Sequence, residues 1–407
     1  MIDIKEIIET RDGTDYQRDN FDSFLEKTKF SFNVPSIHIA GTNGKGTTAN
    51  YIAAIYQKAG YKVGLYTSPS LYEINETISI NGEMISDEDI KSIVKEKTKE
   101  IAKFGLSSFE VLTYVAFIYF QKQQCDICVI ECGMGGEIDA TNIFTPVLSI
   151  ITSVSLEHTN FLGKSISEIA LQKAGIIKDE IPVLLGDMPE DAIDVISEAS
   201  KEHNSKAYSV GDAHQPTLGD EGYYFSYGTH NDIRIQSKAF YSVKNACLAL
   251  DAVDLLKDKF PINEEDIKAG LSSVQMICRM EYLPLPVKTI VDGGHNPEAF
   301  EKLSNSLQKA GLNSQIHVLL ACFKDKNLIQ MLSTIGAIAD TITLTTFDHP
   351  RAREEADFFL FLSDYEFIED PVNAYNKLTE LYPEDIILIT GSLAFAAYMR
   401  KRLKDDR

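Results

Sequence analysis

The chain has 407 residues, 44% of them hydrophobic and 24% charged, a length and composition that predict a globular protein with two domains. Its formal net charge of −21 argues against a nucleic-acid partner, because a phosphate backbone requires a positive protein surface. No apolar stretch has the length of a membrane span, and the acidic N-terminus is unlike a signal peptide, so we expect a soluble cytoplasmic protein with no membrane partner.

The first informative stretch is a glycine-rich loop between a strand and a helix. Residues 1–30 show a helical pattern (Ile4, Ile7, Ile8, Phe21, Phe24 and Leu25) that leads into an apolar strand at 34–40. A helical period follows from residue 49, and the sequence between strand and helix is GTNGKGTT (41–48). Backbone N–H groups, a helix N-terminus, a lysine and a threonine hydroxyl are the components of a phosphate and Mg²⁺ site.

The spacing of this loop departs from the usual G-x-x-x-x-G-K-[ST] pattern. Gly41 lies three residues before Gly44, and Gly46 separates Lys45 from Thr47. We nevertheless predict a phosphate-binding loop, because the lysine, the threonines and the strand–helix context occur together. The predicted ligand contacts are Gly41, Thr42, Asn43, Gly44, Lys45, Gly46, Thr47 and Thr48.

The next elements are a strand, a hairpin and two helices. A strand after Gly60 runs into Thr67-Ser68-Pro69, which either places hydroxyls at the ligand edge of a parallel sheet or simply begins a loop. Asn81-Gly82 predicts a tight hairpin turn. Residues 87–103 predict an amphipathic helix, and the apolar residues 109–120 predict a buried helix whose aromatic rings belong to the core rather than to a cofactor site.

A second motif lies at residues 127–142. A buried strand ends in Glu131, and glycines and the sequence DATN (139–142) follow. Glu131 is either a salt-bridged acid or, as we favour beside a phosphate loop, a Mg²⁺ ligand or water-holder. Cys125 and Cys128 have metal-ligand spacing but no second pair, so we predict that they are buried free thiols.

A third strand, 147–154, ends near His158, and a helix at 165–177 carries Lys173 among apolar residues. His158 follows the third consecutive strand, so we expect it beside the same crevice, although a lone histidine is more often structural. Lys173 is either a snorkelling side chain or one held inside for chemistry.

The remainder of the chain divides at a proline-containing linker, 275–286. A strand at 182–186 and a helix at 243–256 precede it, whereas residues 187–240 give no strong pattern. From residue 288, strands alternate with helices, which predicts a smaller doubly wound domain with Asp292 and His295 at its first strand end. We therefore predict an α/β fold: a P-loop-type, mostly parallel sheet domain at 1–284 and a Rossmann-like domain at 285–407.

Together these motifs resemble the folylpolyglutamate synthase/dihydrofolate synthase family of the Mur ligase superfamily. They occur in one order along nearly the whole chain, so the resemblance does not depend on one motif. The matching stretches are HIAGTNGKGTT (38–48), TSP (67–69), NG (81–82), FEVLT (109–113), ECGMGG with DATN (131–142), ITSVSLEH (151–158), IALQKAGIIK (169–178), Asn245-Ala246, Arg279 and DGGHNP (292–297).

Several positions depart from the family pattern. Ser70, Thr77 and Glu137 replace a histidine and two arginines, Met276-Ile277-Cys278 replaces Trp-Pro-Gly, and Tyr241-Ser242 replaces His-Gln. The ATP and metal positions match, whereas positions nearer the folate or the hinge are altered. The departures therefore leave the identity of the substrate open.

The resemblance implies an ATP-dependent amide ligase that joins L-glutamate to a folate or dihydropteroate carboxylate through an acyl phosphate. It implies two Mg²⁺ ions, one held by Thr47 and Glu131 and one by Glu131, His158 and a carbamylated Lys173, with K⁺ left open as a further cation. Lys45, His158 and Lys173 would be catalytic. Asn245, Arg279 and Asp292 would contact ATP, and Ser68 and His295 would lie near glutamate.

The same resemblance implies small-molecule partners only, a monomer, and closure of the small domain about residues 280–287 to exclude water from the acyl phosphate. A P-loop kinase or GTPase would use the same loop, but the chain has no Asn-Lys-x-Asp guanine motif. A Mur-type ligase with another carboxylate substrate and a non-catalytic folate- or nucleotide-binding paralogue also remain. Addition of the first glutamate and chain extension cannot be separated by sequence.

Overall fold

The computed structural model describes residues 18–311 and 314–405. The chain divides into two compact units. The N-terminal unit contains residues up to His214, Ser226–Ile233 and Lys244–Val274, and the C-terminal unit contains Gln215–Phe225, Arg234–Val243 and Gln275–Arg407. Residues 275–284 group with the C-terminal unit, ahead of the boundary predicted at 284/285.

The N-terminal unit is built on an eight-stranded sheet with the order β4-β3-β2-β5-β1-β6-β7-β8. Six neighbouring strands pair in parallel, in the order β2-β5-β1-β6-β7-β8. The β3–β4 hairpin adds two antiparallel strands at one edge. The strands are β1 (Ser36–Ala40), β2 (Val63–Tyr66), β3 (Ile78–Ile80), β4 (Glu83–Met84), β5 (Ile127–Glu131), β6 (Leu148–Ile151), β7 (Val183–Leu185) and β8 (Ala207–Ser209).

Helices cover this sheet, and their buried faces form its core. The helices are α1 (Asp19–Thr28), α2 (Lys45–Lys58), α3 (Asp87–Phe104), α4 (Ser108–Lys122), α5 (Ile166–Ala174), α6 (Glu190–Glu202), α7 (Tyr241–Leu256) and α8 (Glu264–Ser273). Helix α4 is buried on most of its surface, which confirms that its aromatic residues belong to the core. In α1 the predicted Phe21 and Phe24 are buried, whereas Ile4, Ile7 and Ile8 lie outside the described residues.

The strand order places three loops at one edge of the sheet. Strand β1 lies between β5 and β6, and all three are completely buried, as expected for parallel strands with helices on both faces. The register pairs Ile39 with Glu131 and Ala40 with Ile151. Because the carboxyl ends of parallel strands meet at one edge, the loops after β1, β5 and β6 emerge together, at the point where the strand order reverses.

The predicted hairpin is confirmed at Asn81 and Gly82. Both residues have positive φ angles, 50° and 81°, as a two-residue type I′ turn requires. The Asn81 side chain also accepts a hydrogen bond from the Val63 N–H at 2.8 Å, which joins the turn to the start of β2.

The C-terminal unit contains a six-stranded sheet with the order β12-β13-β17-β14-β15-β16. Only β12 is antiparallel to its neighbour. The strands are β12 (Glu281–Leu283), β13 (Lys288–Val291), β14 (Ile316–Leu320), β15 (Thr341–Leu344), β16 (Glu366–Phe367) and β17 (Ile386–Thr390); the helices are α9 (Pro297–Lys309), α10 (Leu328–Gly336), α11 (Pro371–Leu381) and α12 (Leu393–Asp405). The predicted alternation is confirmed, and β12 is an additional strand inside the stretch predicted as a linker.

A three-stranded sheet, β11-β10-β9, forms from the stretch in which the sequence showed no strong pattern. Its strands are β9 (His214–Gly219), β10 (Gly222–Tyr227) and β11 (His230–Ile235). Tyr227, at the end of β10, donates its hydroxyl to Asp251 of α7 at 2.7 Å and accepts the Gly211 N–H at 2.8 Å.

His230, the first residue of β11, bridges two helices of the N-terminal unit. Its Nδ1 lies 2.7 Å from Oε2 of Glu264 in α8, and its Nε2 lies 3.2 Å from Oδ2 of Asp254 in α7. The hydrogen bond to Asp254 is the main cause of a raised His230 pKa; burial opposes it, and the bond to Glu264 and both carboxylate charges support it. The imidazolium form is therefore stabilised in the folded protein.

We predict that replacing His230 with glutamine flattens the pH dependence of unfolding. A raised folded pKa means that the stabilisation is present in full below the unfolded value of 6.5 and is lost as the pH rises through the folded pKa. Both carboxylates are nearly half exposed, so solvent screening limits the effect to about 1 kcal/mol or less. Urea unfolding of wild type and His230→Gln between about pH 5 and about pH 9 measures it. The exposed His214→Gln should behave as wild type; a constant difference at all pH values would contradict the prediction.

All six cysteines are buried free thiols, which confirms the prediction for Cys125 and Cys128. Among the residues that the structure describes, no helix combines the length and the apolar character needed to cross a bilayer.

Candidate active site

Two glycines of the phosphate-binding loop, residues 41–48, have no room for a side chain. A Cβ on Gly41 would lie 1.9 Å from Oγ1 of Thr152, after strand β6. Gly44, the residue just before α2, has a φ of 89°, and a Cβ there would lie 2.5 Å from Oδ1 of Asn245 in α7. The loop therefore lies directly against both neighbours, and these positions require glycine.

Hydroxyl groups after β6 hold the loop in place. The N–H groups of Thr42 and Asn43 donate to the carbonyl and the Oγ of Ser153, each at 2.9 Å. Thr152 donates its hydroxyl to the Asn43 carbonyl at 2.7 Å, and the Ser155 N–H donates to Oγ1 of Thr42 at 3.0 Å. The sequence analysis assigned the hydroxyls of Thr152 and Ser153 no role, although two adjacent hydroxyl residues directly after a strand end were a usable signal.

Lys45 folds back over the loop, with Nζ 3.0 Å from the Gly41 carbonyl and 3.3 Å from the Thr42 carbonyl. The ammonium group is thus held among backbone oxygens at the start of α2. Thr47 and Thr48, in the first turn of the helix, are buried. The positive end of the helix dipole and the Lys45 charge lie at the same place, which suits a phosphate group.

Glu131 joins two of the predicted motifs to the loop. Its carboxylate is buried and accepts the Ser68 N–H at 3.1 Å. The same oxygen, Oε2, lies 3.2 Å from the position that a Cβ on Gly46 would take. A buried carboxylate beside the residue between Lys45 and Thr47 provides hard oxygen ligands of the kind that Mg²⁺ prefers.

Within residues 18–311 and 314–405, no three His, Cys, Asp or Glu side chains are grouped to hold a metal ion. The metal ligands expected from the sequence do not form such a group, because they include the Thr47 hydroxyl and a carbamylated Lys173.

A buried polar network that was not predicted surrounds Cys132, the residue after Glu131. Nε2 of His38 in β1 lies 2.8 Å from Oγ1 of Thr141 and 3.1 Å from Sγ of Cys132, and the Thr141 hydroxyl donates to Asp139 at 2.6 Å. Burial, helped by the Lys178 charge, lowers the His38 pKa to about 3, so the imidazole is neutral. Burial also raises the Asp139 pKa, against hydrogen bonds from Met134 and Thr141 and the charge of Lys45. The network fixes the loop that follows β5.

Lys173 is buried in α5 and is 2% exposed, so it does not snorkel to solvent. Its helix packs on the double glycine of residues 135–136, since a Cβ on Gly136 would lie 2.9 Å from the Lys173 carbonyl oxygen. Burial raises the Cys132 pKa well above its ordinary value, whereas the Lys45 and Lys173 charges lower it. The charges of both lysines therefore act on the thiol of Cys132, the residue that follows Glu131 in the chain.

His158 lies on the loop after β6, as predicted, but on its exposed side. Its φ is 50°, its side chain is 37% exposed, and Nε2 lies 3.9 Å from Oε1 of Glu157. Its role as a metal ligand stays a prediction.

In the C-terminal unit, Arg279, Asp292 and His295 lie around Gly293. Asp292 is buried and accepts hydrogen bonds from the Tyr241 hydroxyl and the N–H groups of Met280 and Gly294, at 2.7–2.8 Å. Nδ1 of His295 lies 3.1 Å from the Gly293 carbonyl oxygen, and a Cβ on Gly293 would lie 2.7 Å from Nη1 of Arg279. The structure thus brings these three predicted residues together.

Comparison with known proteins matches the two parts of the chain to two family models. The Mur ligase middle domain matches residues 39–253, and the Mur ligase glutamate ligase domain matches residues 278–393. The dihydrofolate synthase/folylpolyglutamate synthase of Bacillus subtilis (strain 168) is 34% identical over 391 residues, which cover 91% of each chain. The chain belongs to the folylpolyglutamate synthase/dihydrofolate synthase family of Mur ligases.

Solved structures of this family share the fold. Folylpolyglutamate synthase of Mycobacterium tuberculosis, complexed with ADP and AMPPCP, has a TM-score of 0.89 and 25% identity, and the match covers 98% of this chain and 97% of that one. An FPGS–AMPPCP–folate complex has a TM-score of 0.87 and 29% identity, covering 97% and 96% of the two chains. The predicted α/β fold, with a mostly parallel N-terminal sheet and a smaller C-terminal domain, is confirmed.

The positions at which this member departs from the family pattern lie close to predicted site residues in the chain or in the structure. The Thr77 carbonyl accepts the Thr67 N–H at 3.0 Å, next to Ser68. Glu137 accepts a hydrogen bond from Gln172 at 3.3 Å, beside Lys173. Cys278 is buried next to Arg279, and the Tyr241 hydroxyl donates a hydrogen bond to Asp292. Ser70 is partly buried in the loop after β2.

Proposed function

We propose that this chain is an ATP-dependent ligase that forms an amide between L-glutamate and the carboxylate of dihydropteroate or a folate. The observation that carries the proposal is the match to the B. subtilis enzyme over nine-tenths of both chains. The loop geometry supports it, because the loop leads into the N-terminus of α2 and the Lys45 ammonium group is held against it. Nucleotide phosphates bind at glycine-rich loops of this kind, where backbone N–H groups and the helix dipole favour negative charge.

In the proposed reaction, a carboxylate oxygen attacks the γ-phosphorus of ATP and ADP leaves, which gives an acyl phosphate. The glutamate amine then attacks the acyl carbon, loses a proton, and displaces inorganic phosphate. The first step brings two anions together. Lys45 and the N-terminus of α2 would lower their repulsion, because both place positive charge at the loop before the substrates arrive.

The donor groups fit a divalent cation. We propose that Thr47 and Glu131 hold one Mg²⁺, and that Glu131, His158 and a carbamylated Lys173 hold a second. No residues are assigned to a K⁺ ion. Bound there, Mg²⁺ would withdraw charge from the phosphoryl oxygens. Glu131 suits both sites because its carboxylate is buried and already oriented by the Ser68 N–H.

The remaining assignments follow from the resemblance. We propose Asn245, Arg279 and Asp292 as ATP contacts and Ser68 and His295 as residues near glutamate. Asp292 already accepts three hydrogen bonds, which leaves about one acceptor position of its carboxylate for the nucleotide. The proposal also includes a cytoplasmic monomer with two domains, divided near residue 284.

We predict phosphate release that requires both a pteroate or folate acceptor and L-glutamate, with L-glutamate preferred over L-aspartate and L-alanine. The assay compares dihydropteroate with a reduced folate monoglutamate, which separates first addition from chain extension. Equal turnover with alanine, or a preference for a diamino acid, would identify a ligase of the Mur type with another substrate. Phosphate release that does not need an amino acid would indicate nucleotide hydrolysis, and ADP formation without phosphate release would indicate a kinase. Neither product with any acceptor would indicate a binding protein.

A further inference from the structure

Arg279 lies between two residues with an unusual backbone conformation. Cys278 has a φ of 55° and Met280 a φ of 48°, in the left-handed region that residues other than glycine adopt rarely. Both flanking side chains are buried. Two such residues on either side of one position must be held by surrounding contacts, and strained backbone of this kind is concentrated at functional sites.

Two buried carboxylates and one glycine hold this segment. Oε2 of Glu281 accepts the Cys278 N–H at 3.0 Å, and Oδ2 of Asp292 accepts the Met280 N–H at 2.8 Å. The Cys278 carbonyl accepts the Gly293 N–H at 2.8 Å. The peptide groups on both sides of Arg279 are thus fixed, and the direction of its side chain is determined by them.

The Glu281 carboxylate is itself held by the last helix, α12. Nε of Arg400 lies 2.9 and 2.8 Å from its two oxygens, and Nζ of Lys404 lies 3.5 Å from Oε1. Burial favours a higher Glu281 pKa, but the bonds from Arg400 and Cys278 and the two positive charges outweigh it and lower the pKa. Glu281 therefore stays ionised, and its side chain is only 7% exposed.

The same helix also begins next to Gly293, the residue against which the Arg279 side chain lies. Leu393 begins α12, and a Cβ on Gly293 would lie 2.6 Å from Cδ1 of Leu393 and 2.7 Å from Nη1 of Arg279. Helix α12 therefore acts on the Arg279 segment through Arg400 and Glu281, and its first residue, Leu393, lies against the same glycine as the guanidinium group.

We propose that Glu281 and Arg400 are positioning residues that hold Arg279 in the orientation in which it binds the nucleotide. This role rests on the proposed function, in which Arg279 contacts ATP. Without the Glu281 carboxylate, the Cys278 N–H loses its acceptor and the left-handed conformation loses a support. The guanidinium group would then spend less time in the binding orientation, and a displacement of about 1 Å is enough to weaken a site strongly.

The test is a double-mutant cycle on the KM for ATP in the ligase assay. We expect Arg279→Ala and Glu281→Ala each to raise this KM by about 10- to 100-fold. The double variant should be no worse than Arg279→Ala alone, because Glu281 acts through Arg279. Additive effects, or an unchanged KM in Glu281→Ala, would overturn the positioning role.

Two further variants separate positioning from loss of stability. Thr289 lies in β13, next to β12, and its buried hydroxyl is 2.9 Å from the Tyr375 hydroxyl. Thr289→Val removes this contact and should lower the melting temperature without changing the KM for ATP. Arg400→Lys retains a charge and should have a KM closer to wild type than Arg400→Met does. If Thr289→Val raised the KM as much as Glu281→Ala, or if the two Arg400 variants behaved alike, the proposal would be wrong.

Amide exchange and calorimetry distinguish this inference from the proposed function. In Glu281→Ala the Cys278 N–H should exchange faster than in wild type, whether or not nucleotide is present. Unchanged exchange overturns the positioning role alone. Wild-type protein that fails to bind ATP in calorimetry overturns the proposed function and, with it, the role assigned to Arg279.

Discussion

Lys45→Ala is expected to abolish ligase turnover while the protein remains folded. The ammonium group lies 3.0 Å from the Gly41 carbonyl oxygen at the start of α2, where the proposed phosphates bind. Removing one pre-positioned donor from such a site lowers the rate on the order of 10²- to 10³-fold or more. The loss should appear in kcat as well as in KM, because the charge opposes repulsion that is greatest in the transition state. Phosphate release with acceptor and glutamate measures the rate, and circular dichroism measures the fold.

Lys58 provides the matched control. It is an exposed lysine at the last residue of the same helix, so Lys58→Ala removes an equal charge about one helix length away. Its turnover should stay within about two-fold of wild type, as expected for a surface change. If Lys45→Ala retained near-normal turnover, residues 41–48 would not be the site of phosphoryl transfer.

The fold was predictable wherever hydrophobic periodicity was long and simple. Strands β1, β5 and β6 are apolar along their whole length because helices cover both faces of the parallel sheet. The turn at Asn81-Gly82 was predictable because those two residues adopt positive φ at low cost. The start of α2 was not, since helical spacing becomes visible only at residue 49, whereas the helix begins at Lys45.

The strands that were missed have no such pattern. Strand β9, with the sequence HQPTLG, has no buried residue and contains a proline, so it resembles a loop. Strand β12 has three residues beside prolines, and its pairing with β13 depends on a long-range contact. Glu281 also argues against a buried strand locally, and its main ion-pair partner, Arg400, lies 119 residues later in the chain.

The candidate site was predictable to the extent that strand ends are. Glu131 ends one strand of the N-terminal sheet, Lys45 and Ser68 come soon after two others, and the carboxyl ends of such strands meet. The contacts that orient them could not be predicted, because the bond of Thr152 to Asn43 and that of His38 to Thr141 have no spacing rule. The left-handed Cys278 and Met280 were also invisible, since neither residue type favours that conformation.

Lys173 is expected to carry a carbamate and to be essential for turnover. It is buried, and its charge and that of Lys45 both act on the thiol of Cys132, the residue after Glu131. A second ammonium group would therefore add positive charge where cations are proposed to bind. Reaction of its neutral amine with CO₂ forms an N–C bond and releases one proton, which leaves an anion with two hard oxygens. Enzyme prepared in ¹³C-labelled bicarbonate should show a carbamate carbon signal by NMR, and Lys173→Ala and Lys173→Arg should lack it.

Both variants should lose turnover on the order of 10²-fold or more, as expected when a metal-holding group is removed. Acetate should partly rescue Lys173→Ala, because a small carboxylate fits the vacated space and replaces the lost oxygens. It should not rescue Lys173→Arg, whose guanidinium fills that space with a positive charge. Exposed Lys164, just before α5, is the matched control: Lys164→Ala should keep both the carbon signal and the turnover. A fully active Lys173→Arg, or a carbon signal that survives in both Lys173 variants, would show that Lys173 is not carbamylated.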